Sequence, residues 1–74
     1  MKYATIVFCR VASGIAQHPR TTMSPEKRKA MVDLWRKADE ANDMKMMRNL
    51  LEELRESTEN KVFRADVAKA IESL

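Results

Sequence analysis

Residues 3–12 read YATIVFCRVA and form the densest apolar run in the chain. Whether this run is strand or helix decides what the other residues must build around it. Thr5, Ile6, Val7 and Val11 are β-branched and Tyr3 and Phe8 are aromatic, a composition that favours a strand. Strict alternation is missing, so both faces of such a strand are apolar. Arg10 is the exception, with a stem long enough to carry its charge to water. A helix suits the run less well, because β-branched side chains lose rotamer freedom there. No second strand-like run follows. Such a β-prone segment either packs flat on the chain's own helices or pairs or packs against another molecule, a second copy of the chain included, and the second arrangement is the expectation.

The other 64 residues must then supply most of the core. A chain of 74 residues makes one domain at most and buries only about 60% of its unfolded surface. Hydrophobic residues make up 45% and charged residues 34%, the balance of a globular chain and not of a disordered one. One glycine and two prolines leave little turn chemistry for sheets, and six methionines offer adaptable packing or a groove lining. Cys9 is the single cysteine, so no intrachain disulfide staples the fold.

Helix signals begin at SPEK. Ser24 can accept a hydrogen bond from a free N–H of the first turn, Pro25 suits the first helical position, and Glu26 meets the positive end of the dipole. Met31, Leu34, Trp35 and Ala38 follow at helical spacing. The pattern fades at Ala41, where Asn42 or Asp43 can cap a second helix with the stripe Met44, Met47, Leu50, Leu51 and Leu54. So short a link folds the two helices into a hairpin. STEN at 57–60 ends the second helix and Asn60 caps a third, with Phe63, Val67, Ala70, Ile71 and Leu74 on one side. The expected fold is mainly α: a small three-helix bundle, or a hairpin plus a third helix, with a β-prone N-terminal segment. Its parts are an apolar segment at 1–12, a connector at 13–24 and a helical domain at 25–74. Gly14 and Pro19 mark the connector.

Catalysis has little to stand on. His18 is the only histidine, lies beside Pro19 and has no metal-ligand spacing with Cys9. Cys9 and His18 have no third residue to orient them as a nucleophilic pair. Glu52 with Glu56, and Asp39 with Asp43, read as solvated helix faces. Phosphate-binding loops need glycine clusters, and the chain has one glycine. The expectation is no enzyme, no metal and no cofactor.

Binding is better supplied. The first 37 residues carry eight Lys or Arg against Glu26 and Asp33, a net of +6, and the rest have a net of −3. Such a layout can steer an anionic partner, or a second copy of the chain, toward the first half. Arg20, Lys27, Arg28 and Lys29, with a helix start beside them, are the candidate contacts for nucleic acid. Strand-then-two-helices is also the order of ribbon-helix-helix DNA-binding proteins, but YATIVFC is too apolar for a groove-reading ribbon. Tyr3, Ile6, Phe8, Trp35 and Met46 are the candidate residues of a protein interface. Trp35 reads first as a core residue at helical spacing with Met31, Leu34 and Ala38, and as an interface anchor second; Met46 lies off the main stripe of its helix. A membrane signal is disfavoured, because Arg10 interrupts an apolar run too short to span a bilayer. The expected partner is another protein, the alternative partner is nucleic acid, and the expected location is the cytoplasm, with no integral membrane association.

Overall fold

The computed structural model describes residues 3–16 and 23–74, and within them the chain forms four helices and no strand. They are α1 (Tyr3–Ala16), α2 (Pro25–Ala41), α3 (Met44–Glu56) and α4 (Lys61–Ser73). The expected strand is thus a helix, and the expected three helices are four. α1 also extends past residue 12 into the proposed connector, and Met23, at the connector's other end, is buried. His18 and Arg20 lie outside the described residues.

Spacing explains why α1 is helical despite its composition. Ala4, Val7, Phe8, Val11, Ala12 and Ile15 are all buried, and their intervals of three and four residues put them on one helical face. Thr5, Ile6, Val7, Val11 and Ile15 are β-branched, and against alanine they cost roughly 2–3 kcal/mol of helix propensity in total. Burying Val7, Phe8, Val11 and Ile15 returns about 1.5–3 kcal/mol each, so packing outweighs propensity. A lone strand would also leave its backbone N–H and C=O groups without a ladder, whereas a helix pairs its own.

α1 packs against all three other helices, α3 lies between α2 and α4, and the backbones of α2 and α4 do not approach closely. A radius of gyration of 11.1 Å matches the roughly 11 Å of a single folded domain this long. At the centre the rings of Phe8 and Trp35 stack with centroids 4.4 Å apart and planes 8° from parallel. The Trp35 Nε1–H donates to Thr5 Oγ1 at 3.3 Å, so the buried indole keeps its hydrogen bond. Around this pair lie Met31, Met47, Leu50, Leu51, Leu54, Val67 and Ala70, with Phe63, Ile71 and Leu74 packed at the margin.

The helix ends follow the sequence signals closely. Ser24 Oγ accepts from the Lys27 N–H at 3.1 Å, with Pro25 opening α2. Between α2 and α3 the two residues divide the work. Asn42 takes the left-handed conformation at φ 57°, which asparagine tolerates. The Asp43 N–H then donates back to Ala38 O at 2.8 Å and the Asn42 N–H to Asp39 O at 3.2 Å, closing α2 in a Schellman motif. Asp43 also starts α3, its carboxylate accepting from the Met46 N–H at 3.1 Å. Asn60 Oδ1 accepts from the N–H groups of Val62 and Phe63 and opens α4.

Two stripe positions differ from expectation. Leu34 is 42% exposed: its neighbour Trp35 points into the core, and one helical step of 100° turns Leu34 outward. Met44 is exposed because α3 begins there, beyond the end of the core.

Gly14 serves a close approach and not a turn, since no described glycine has positive φ. A Cβ at this position would drive into the Cζ and Cε2 atoms of Phe63. The ring of α4 therefore rests directly on the α1 backbone.

Replacing Phe8 by alanine removes the stack and should cost about 3–5 kcal/mol. The whole domain is expected to have roughly 4–11 kcal/mol. Urea unfolding followed by Trp35 fluorescence should show a midpoint lowered strongly in F8A and less in F8L. A double-mutant cycle tests the Gly14–Phe63 contact. Gly14→Ala should give no gain by itself, but should add about 0.5–1 kcal/mol in a Phe63→Ala background, where helix propensity acts unopposed.

Candidate docking surface

α1 is apolar on nearly every side, which is unusual for a helix with one face in water. Its outward positions are Tyr3, Ile6, Cys9, Arg10 and Ser13. Tyr3, Ile6, Arg10 and Ser13 recur at three- and four-residue intervals and so form one line down the helix. Tyr3 is 45% exposed and Ile6 43%, a large apolar area to leave in water on adjacent turns. The single charge on the line is Arg10, whose Nη1 lies 3.9 Å from Asp66 Oδ2 of α4. That ion pair holds the guanidinium toward α4 and leaves the upper part of the stripe without charge.

Of the five residues expected at a protein interface, only Tyr3, Ile6 and Met46 are exposed. Phe8 and Trp35 are corrected: they are stacked on each other in the core, with exposures of 0% and 2%. Neither can reach a partner while the bundle is closed. Sequence reasoning missed Leu34, Met44 and Val62, which are exposed large side chains on α2, α3 and α4. Val62 could have been found, since it lies beside Phe63 and off the α4 stripe.

The basic cluster is less free than its composition suggests. Lys27 Nζ lies 2.9 Å from Glu53 Oε1, tying the start of α2 to the end of α3. This pair also explains an oddity of charge order. α2 begins with Lys27, Arg28 and Lys29 and ends with Asp39 and Glu40, while α3 begins with Lys45 and Arg48 and ends with Glu52, Glu53 and Glu56. Each order opposes its own helix dipole. In the antiparallel hairpin, however, the basic start of α2 lies against the acidic end of α3, as the Lys27–Glu53 pair shows.

Arg28 and Lys29 line an open groove of about 450 Å³ with Pro25, Glu26 and Val32. Glu26 lowers the attraction of this groove for an anion. Among the described residues there is no group of three or more His, Cys, Asp or Glu side chains able to hold a metal ion. No helix among them is long and apolar enough to cross a membrane.

Cys9 is exposed on α1 as a free thiol. It should react with a maleimide in the native protein at a rate close to that in urea, with the circular dichroism unchanged after labelling. Slow native labelling, read by mass spectrometry, would contradict the outward placement of this side of α1.

No protein-family model, no curated protein and no solved structure matches the chain. The side chains themselves therefore carry the functional assignment.

Proposed function

We propose that this protein is a non-enzymatic protein-binding module, acting as a small adaptor, inhibitor or regulatory subunit. The observation that carries this reading is the outward stripe of α1, where Tyr3 and Ile6 stand in water on a helix whose other side fills the core. Burying such side chains against a partner stabilises a complex by about 25 cal/mol per Å² of apolar surface, before the costs of association. The docking mechanism is apolar contact through α1. Arg28 and Lys29 of α2, for which there is no ion pair among the described residues, add orientation and association rate toward an acidic partner.

Nucleic-acid binding by the same cations has weaker support. Lys27 is engaged by Glu53, and Glu26 stands in the groove beside Arg28 and Lys29.

A photo-crosslinking residue at position 6, introduced in the native cell, tests the reading. Adducts should form there and be absent from a probe at Asn49, an exposed α3 position opposite the buried face of that helix. Equal, unselective labelling at both positions would argue against a docking face on α1.

A further inference from the structure

We infer that the start of α3 is a reversible oxidation site, at which a hydroperoxide converts Met46, together with Met44, to methionine sulfoxide while the core methionines stay reduced. The inference stands apart from the docking reading above.

Burial divides the thioethers sharply. Met44 is 41% exposed and Met46 38%, whereas Met23, Met31 and Met47 are 5%, 4% and 0% exposed. Met46 and Met47 are neighbours in sequence, so the rotation of α3 alone separates them. One helical step of 100° carries Met46 out of the core that Met47 fills. A peroxide must reach the sulfur to oxidise it, so the exposed and buried thioethers differ in rate.

Hairpin register gives the modification a consequence. Lys27 of α2 is paired with Glu53 of α3. Seven residues further along α2 is Leu34, and seven back along α3 is Met46. Each lies close to two helical turns from the ion pair, on antiparallel helices. Leu34, 42% exposed, and Met46 therefore share the outer seam of the hairpin. A sulfoxide there sets a polar S=O group in place of an apolar thioether, with water in reach. Oxidation of Met31 or Met47 would instead bury that dipole and break the packing around it. The fold survives the first change and not the second, and a reversible site needs that difference.

The step balances with a hydroperoxide as oxidant. The thioether lone pair attacks the outer oxygen, the O–O bond breaks and an S=O bond forms, and hydrogen peroxide leaves as water. Sulfur loses the electron pair that the peroxide gains. A thiol-dependent methionine sulfoxide reductase reverses the step: a pair of thiols becomes a disulfide, and the sulfoxide oxygen leaves as water.

Hydrogen peroxide applied to the full chain tests the inference, with fragmentation mass spectrometry to separate Met46 from Met47. In buffer Met44 and Met46 should gain oxygen at least about tenfold faster than Met31 and Met47, and in urea all four should react at similar rates. Circular dichroism should be unchanged when Met44 and Met46 carry oxygen. The urea midpoint should fall on oxidation, and fall further in the native chain than in Met46→Leu. Sulfoxide reductase with its thiol reductant should restore both thioethers in the folded chain. Equal rates for Met46 and Met47 in buffer overturn the inference, as does loss of helix once Met46 is oxidised. A midpoint that falls as far in Met46→Leu removes Met46 from the site, and a sulfoxide that the reductase leaves in place removes reversibility.

Discussion

The fold is organised around the stacked rings of Phe8 and Trp35. A chain this short has room for few large side chains, and these two come from helices far apart in sequence. Their stack and the Trp35-to-Thr5 hydrogen bond fix α1 to α2 in both distance and rotation. Once Phe8 faces inward, Val11, Ala12 and Ile15 must follow it, because helical spacing leaves them no other direction. The same rotation sends Tyr3, Ile6 and Cys9 outward. Core and candidate docking face are thus two consequences of a single constraint.

A second constraint acts at the other end of α1. Gly14 allows the Phe63 ring onto the helix backbone, and Arg10 lies beside Asp66. These two contacts run in opposite directions along the two helices, so α1 and α4 are antiparallel. Lys27 and Glu53 establish the same relation for α2 and α3. Exposed pairs of this kind contribute little to stability, commonly under about 1 kcal/mol. Their value here is in register: charge orders unfavourable for each helix alone become matched when the hairpin closes.

Much of this was legible in local chemistry. Ser24, Asp43 and Asn60 are short polar side chains placed immediately before apolar periodic runs, and each caps the helix expected of it. The stripes of α3 and α4 were also readable, because their apolar residues are separated by charged ones. α1 was misread for the opposite reason. Its outward positions are apolar too, so the period of Ala4, Val7, Phe8, Val11 and Ile15 was masked by Tyr3, Ile6 and Cys9 between them. β-branched content then pointed to strand. The feature that hid the helix is the exposed apolar side on which the docking proposal rests.

By itself the sequence determined where helices α2, α3 and α4 start and stop, since capping and turn chemistry act over three or four residues. It also determined that no disulfide forms within these 74 residues and that charge is divided between their halves. Only the tertiary structure decided that residues 3–16 are helical, because a segment with weak helix propensity takes its conformation from the surface it packs against. It likewise decided that Phe8 and Trp35 belong to the core while Tyr3 and Ile6 face water. These assignments depend on the rotation of one helix against its neighbours, and that rotation is set by contacts between residues some 30 positions apart.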